Sequence, residues 1–222
     1  EYFKEARNPE NQKGDTKAYI LSRDEQSYSF DVVNLLLDHG VQVYETTQDQ
    51  RLPNTFDYWD ANEATRTIKE GSFVIPTKQP AHLFIHTLFR RQLEIKDSVM
   101  YDMSTWTVPM AYNLDAYWSE NVPSNLTRIN QKISLKGQLP QKASYAYVMD
   151  WAQRYAPNAL GDMLEAGFRV RTASESFGYE GNTYSRGSVI VLVGRNLGHG
   201  DQLHSEMEEI ALKNKVSIVP FN

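Results

Sequence analysis

Cysteine is absent from this sequence of 222 residues. Its absence excludes disulfide bonds, thiolate metal sites and cysteine nucleophiles. It leaves the cellular compartment open, because a chain without thiols tolerates oxidising and reducing surroundings alike. The sequence also lacks any Lys/Arg-rich run of five or more residues, and its net charge is −5. Since nucleic-acid binding needs concentrated positive charge, we expect no nucleic-acid partner.

Long hydrophobic runs are missing as well. No apolar stretch approaches the roughly 20 residues that a membrane-spanning helix needs, so we expect no membrane span. The opening residues, EYFKEARNPENQKGDT, are polar and lack the basic and apolar pattern of a signal peptide. We interpret residues 1–17 as a linker that belongs to a longer chain.

Three blocks of sequence occur twice in the same order. AYIL at 18–21 is echoed by AYVM at 146–149, and GSFVI at 71–75 is echoed by GSVIV at 187–191. Between them, LLDHGVQV is echoed by MLEAGFRV. The first and third blocks are apolar runs typical of buried strands. The middle block reads as a helix end, a glycine and a further strand, so the sequence predicts one unit used twice.

Strands that alternate with helices of about ten residues are typical of a parallel sheet. The sequence therefore predicts a doubly wound, mainly parallel α/β sheet with helices on both faces. We expect residues 18–222 to form a single domain of two pseudo-repeated halves, 18–93 and 143–222. Residues 94–142 are interpreted as a connector, and their aromatic content makes them too apolar for a flexible linker.

No complete catalytic or zinc motif is present. Both H-E-x-x-H and the nucleophile elbow G-x-S-x-G are absent. His82 and His86 lie four apart on a predicted helix and could face one metal ion. No acidic residue accompanies them in that helix, so we prefer to interpret them as a solvated or partly buried pair.

The most suggestive loop is GRNLGHGDQLHSEMEE at 194–209, which follows a predicted strand and leads into a helix. Open α/β sheets place ligand-binding groups at such positions. His199, Asp201 and His204 are therefore candidate ligand-binding residues. The alternative, which we prefer, is a turn, a helix cap at Asp201 and a surface histidine.

One acidic residue follows the first predicted strand of each half, Asp24 in the first and Asp150 in the second. Asp150 could line a cleft at the edge of the predicted sheet, although a turn role fits equally well. We therefore retain Asp150 with the three residues of the loop as ligand-binding candidates. We predict no catalytic residue and no metal site.

Two further stretches resemble a known family. GSFVIPTKQPAHLFIHTLF at 71–89 and YDMSTWTVPMAYNLDAYW at 101–118 are similar to the C-terminal region of Bacteroidetes-type zinc carboxypeptidase family proteins. The matching residues are Gly71 to Pro76, Gln79, Pro80, Asp102, Ser104, Trp106, Pro109, Ala111 and Tyr112.

The resemblance implies a fold like that of class I glutamine amidotransferases, or flavodoxin-like, without the Cys-His-Glu triad. It implies a non-catalytic accessory domain of a secreted or periplasmic protein, which packs on or shapes a peptidase domain in cis. Zinc is then expected only in that peptidase domain, with no cofactor in this chain. The alternative function is a small-ligand-binding or hydrolytic domain that uses Asp150, His199, Asp201 and His204. A carbohydrate-binding surface of exposed aromatic residues is a third option.

Overall fold

The computed structural model describes residues 4–5, 7–12, 14–23, 28–91, 107–139 and 141–222. The chain divides into two compact units, Glu1–Ile133 and Ser134–Asn222. The boundary falls inside the segment that the sequence suggests as a connector, 94–142. That residues 18–222 act as a single domain, with 1–17 as a linker, stays a prediction.

The first unit is built on a seven-stranded sheet in the order β4-β3-β6-β1-β5-β2-β7. Every pair of neighbouring strands in it is antiparallel. Its strands are β1 (Ala18–Leu21), β2 (Tyr44–Thr46), β3 (Gln50–Asp57), β4 (Glu63–Ile68), β5 (Phe73–Pro76), β6 (Ala116–Ser119) and β7 (Leu126–Arg128). Its α-helices are α1 (Ser29–Asp38), α2 (His82–Phe89) and α3 (Val108–Ala111).

The second unit is built on a four-stranded antiparallel sheet in the order β13-β8-β12-β9, with β10 and β11 as a separate hairpin. Its strands are β8 (Ala146–Met149), β9 (Val170–Thr172), β10 (Phe177–Tyr179), β11 (Asn182–Tyr184), β12 (Val189–Leu192) and β13 (Val219–Phe221). Its α-helices are α4 (Ala156–Glu165) and α5 (Leu203–Asn214).

The echoed blocks form the same core in both units. Ile20 of β1 lies opposite Val74 of β5, and Val148 of β8 lies opposite Ile190 of β12. The central strands follow the order β6-β1-β5-β2 in one unit and β13-β8-β12-β9 in the other. Both orders correspond to the βαββαβ arrangement called ferredoxin-like.

The predicted doubly wound parallel sheet is therefore wrong, as are the glutamine-amidotransferase-like and flavodoxin-like folds. Strands β1 and β2 run in the same direction across helix α1, but β5 lies between them and is antiparallel to both. Strand β12 separates β8 from β9 in the same way. A strand–helix–strand pattern fits adjacent and split parallel strands equally well. The strand that enters the gap comes from a distant part of the sequence, which the local pattern does not specify.

The helices also lie on one face of the sheet rather than on both. In the second unit, Tyr147 and Val191 pack in one cluster with residues of α4 and α5. Val148 and Ile190 point to the opposite face and pack with the β10–β11 hairpin. The strands bury alternate residues against a helical layer and a hairpin, because successive side chains point to opposite faces.

One predicted detail of the repeat is confirmed at the helix ends. Gly40 and Gly167 follow α1 and α4 with φ of 72° and 84°. In the first unit Val41 N donates to Leu36 O at 2.9 Å, and the second unit repeats this bond. These are Schellman motifs, in which glycine takes the left-handed conformation at the lowest steric cost.

Candidate functional site

Asp150 is held in a loop at the end of β8. Its Oδ1 accepts hydrogen bonds from Ala152 N at 2.8 Å and from Ser185 Oγ at 2.9 Å. Ser185 N also donates to Oδ2 at 3.4 Å. These contacts tie the loop after β8 to the segment before β12, as expected for a turn residue.

His199, Asp201 and His204 each have a different partner. The His199 ring stacks on Phe168 at 4.2 Å between centroids, and its Nδ1 lies 2.6 Å from Glu206 Oε2. Asp201 does not cap the following helix, whose N-cap residue is Gln202, and its Oδ1 lies 3.8 Å from Lys142 Nζ.

His204 Nδ1 lies 3.3 Å from the phenol oxygen of Tyr147. No hydrogen bond joins His204 to Asp150, His199 or Asp201. Within the described ranges, no three His, Cys, Asp or Glu side chains gather closely enough to hold a metal ion. The structure therefore does not bring the four predicted candidates together into one site.

Several residues named from the sequence lie outside the described part of the chain. They are Asp24 and three residues of the second resembling stretch, Asp102, Ser104 and Trp106.

A cleft of about 990 Å³ lies in the first unit. Described residues between Glu5 and Thr16 form one side of it. Helix α2 contributes His82 and His86, and Arg90 follows the end of that helix. Strand β1 contributes Tyr19, and β3 and the end of β6 supply further side chains. Its size suits a small organic molecule.

Two histidines of α2 line this cleft and have buried ring nitrogens without hydrogen-bond partners. They lie one turn apart, so they share one face of the helix. His82 is 2% exposed, and neither of its ring nitrogens has a hydrogen-bond partner. His86 Nδ1 lies 3.1 Å from Tyr19 Oη, whereas its buried Nε2 has no partner. Each buried, unpaired polar group costs about 1–3 kcal/mol, which a bound molecule would recover in part.

Both members of the Tyr19–His86 pair are neutral near pH 7. Burial lowers the pKa of His86 below 6.5, and the neighbouring His82 and Arg90 lower it further. Burial raises the pKa of Tyr19 to about 12. The hydrogen bond therefore joins a phenol to a neutral imidazole, and this imidazole presents one donor and one acceptor nitrogen.

An aromatic wall stands beside the histidines. Phe56 and Trp118 stack with centroids 5.2 Å apart and an angle of 4° between their planes, and both line the cleft. Tyr19 stacks on the buried Phe89 at 5.1 Å, which fixes the phenol between β1 and α2. The cleft therefore combines flat apolar surface with polar groups that lack partners.

The second unit repeats the tyrosine–histidine pair but not its surroundings. Tyr147 matches Tyr19 in the repeat, and His204 takes the place of His86. The phenol oxygen of Tyr147 also accepts a hydrogen bond from Ala143 N at 3.2 Å. With the two histidines aligned, the position that matches His82 is Gly200. Within the described part of the chain, buried imidazole nitrogens without a partner therefore occur in the first unit and not in the second.

The sequence predicts one part of this cleft, the histidine pair on α2, but not the other residues that line it. Helical spacing places His82 and His86 on one face, as the structure shows. The rest of the cleft depends on the described residues between Glu5 and Thr16, which lie in the predicted linker 1–17, and on contacts between Phe56 and Trp118. No local pattern marks such contacts, since the two residues meet only through the pairing of β3 with β6.

Comparison with known proteins finds no relative of this chain. No protein family, no curated protein and no solved structure matches this chain. The resemblance to zinc carboxypeptidase family proteins therefore stays a prediction. In the part of the chain that the structure describes, no helix is long and apolar enough to cross a membrane.

Proposed function

We propose that this chain is a non-catalytic accessory module whose first unit binds a small molecule in the cleft beside α2. The observation that carries this proposal is His82, which lines the cleft, is almost fully buried and has no partner for either ring nitrogen. A protein core that needed only packing would gain by an apolar residue there, because an orphaned imidazole is costly.

The histidine contacts also support binding rather than catalysis. His86 and His204 each contact a tyrosine with a raised pKa. In the described residues, no serine or threonine hydroxyl hydrogen-bonds to a histidine, which is the arrangement that activates a hydroxyl nucleophile. We further propose, from the sequence resemblance alone, that the module accompanies a metallocarboxypeptidase domain in a periplasmic or secreted protein.

The binding proposal is tested by nuclear magnetic resonance of the histidine rings in the full chain. A library of small amines, carboxylates, alcohols and sugars is added, and the imidazole resonances of all five histidines are followed. We expect at least one compound to shift the signals of His82 and His86 in a saturable manner. His199 and His204 belong to the second unit and serve as internal controls. The proposal fails if no compound shifts the two cleft histidines more than the controls.

A further inference from the structure

The side chains that line the cleft carry more negative than positive charge. Among the described residues, four carboxylates line it, those of Glu5, Glu10, Asp15 and Glu120, against one guanidinium, that of Arg90. Glu10 pairs with Lys78 at 2.9 Å, but both of these side chains are more than 60% exposed and such pairs are screened by water. Acidic groups therefore remain in excess, and the field in the cleft favours a positively charged guest.

The partnerless imidazoles add an acceptor. In either neutral tautomer an imidazole has one unprotonated nitrogen, and such a nitrogen can accept a hydrogen bond from a guest that reaches the ring. Carboxylates are acceptors as well. A protonated amine offers three N–H donors and no acceptor, and it complements both kinds of group.

The aromatic wall suits the same guest. The faces of Phe56, Trp118 and Tyr19 carry negative quadrupole charge and attract cations that approach within about 6 Å. They also cover the apolar body of an organic molecule. Together with the acidic lining and His82, this wall leads us to infer that the cleft selects an organic cation, a protonated amine on an aromatic or apolar body. This inference rests on the proposed function.

Two other guests fit the cleft less well. An organic anion would meet Arg90 but would face the excess of carboxylates. A zinc ion would meet His82 and His86, yet no third acidic or histidine ligand joins them among the residues that the structure describes. The experiment distinguishes binding of an anion or of zinc from binding of an amine.

The test uses three probes with the same aromatic body and different charge: 2-phenylethylamine, 2-phenylethanol and phenylacetate. Their dissociation constants for the full chain are measured from the shifts of the His82 and His86 resonances. We expect the amine to bind about tenfold more tightly than phenylacetate, with the alcohol between them. The advantage of the amine should shrink at high salt, because the charges at the mouth of the cleft are screened.

A pair of variants tests the carboxylate contribution. Glu120→Gln preserves the shape of the side chain and its contact with Asn54 Nδ2, at 3.2 Å in the parent protein. We expect it to weaken binding of the amine about three- to fivefold and to leave binding of the alcohol unchanged. Glu63→Gln removes one negative charge from an exposed position on β4 outside the cleft, so it should leave the affinity for the amine unchanged.

Other results would overturn either the cation inference or the proposed binding function. If phenylacetate binds most tightly, the cation inference is overturned while the proposed binding function stands. The inference is also overturned if zinc alone binds at one equivalent and shifts both cleft histidines, or if the library binds only neutral or anionic compounds there. Absence of any binding from both the probes and the library removes the proposed function itself.

Discussion

Gln79 and Asn196 make matching main-chain contacts in the two units. Gln79 Oε1 accepts from Gln42 N at 2.7 Å, and its Nε2 donates to Gln42 O at 3.1 Å. Asn196 Oδ1 accepts from Arg169 N at 2.7 Å, and its Nδ2 donates to Arg169 O at 3.2 Å. Both amide side chains are 3% exposed. The repeat therefore extends to a buried polar contact in which the two side chains differ in length.

The same amides hold the end of the third core strand. Gln79 Nε2 also donates to Pro76 O at 2.6 Å, and Asn196 Nδ2 to Leu192 O at 2.9 Å. Pro76 ends β5 and Leu192 ends β12. Each amide thus joins the end of one strand to the segment that enters its antiparallel neighbour, β2 or β9. Such side chains replace main-chain partners where the sheet hydrogen bonds stop.

Replacement of either amide by alanine should destabilise its own unit. Gln79→Ala leaves the main-chain groups of Gln42 without partners, and Asn196→Ala does the same at Arg169. Since unpaired buried groups cost about 1–3 kcal/mol each and partial rehydration lowers the sum, we expect a loss of about 2–4 kcal/mol. Urea unfolding measures the loss, and amide hydrogen exchange assigns it to a unit.

Gln202→Ala is the matched control, because that side chain is exposed and precedes α5. It should change the free energy of unfolding by less than about 0.5 kcal/mol. Losses of that size for Gln79→Ala and Asn196→Ala would show that the shared contacts contribute little to either unit.

Much of the secondary structure of this fold could be predicted from local sequence. The apolar blocks at 18–21 and 146–149 are buried strands, and the glycines at 40 and 167 end helices, because these features depend on neighbouring residues. The sheet direction could not be predicted, since it depends on which distant strand enters between β1 and β2. Sequence comparison of the two halves also misses the Gln79–Asn196 correspondence, because the side chains differ.

In the candidate site, too, local features could be predicted and features that depend on distant residues could not. Helical spacing predicts that His82 and His86 share a face, whereas burial and the absence of partners depend on tertiary packing. The prediction that Asp150, His199, Asp201 and His204 bind a ligand depends on their position at one edge of a parallel sheet. With an antiparallel sheet, the carboxyl ends of neighbouring strands lie at opposite edges, so the rule behind that choice does not apply.

Gly137 is expected to tolerate no side chain. A Cβ atom at this position would lie 1.9 Å from Ala211 O and 2.8 Å from Leu212 Cα, both main-chain atoms of α5. Because the main chain of a packed helix moves only at high cost, Gly137→Ala should lower the stability of the second unit by at least about 2 kcal/mol. Thermal and urea unfolding measure this change.

Gly161 provides the opposite control. It lies inside α4, and a Cβ atom there would meet nothing within 4 Å. Alanine is the better helix former, so Gly161→Ala should raise the stability by about 0.5–1 kcal/mol. Equal effects of the two substitutions would contradict the close approach of residue 137 to α5.

His86 should make the stability of the first unit depend on pH. Burial lowers its pKa from the ordinary value of 6.5, with His82 and Arg90 adding to the shift. Between the lowered value and pH 6.5 the unfolded chain binds more protons than the folded chain, so stability falls as the pH falls through this range. Above pH 6.5 this contribution is complete, and below the folded pKa no further loss comes from His86.

The variant His86→Gln tests this dependence, because glutamine stays neutral at every pH in the range and can still accept a hydrogen bond from Tyr19. Urea unfolding from pH 7.5 to pH 4.5 should show the parent protein losing stability relative to the variant below pH 6.5. The imidazole resonance of His86 should titrate below 6.5 in the folded parent protein. A midpoint at or above 6.5, or parallel stability curves for the two proteins, would contradict a neutral, buried imidazole beside Tyr19.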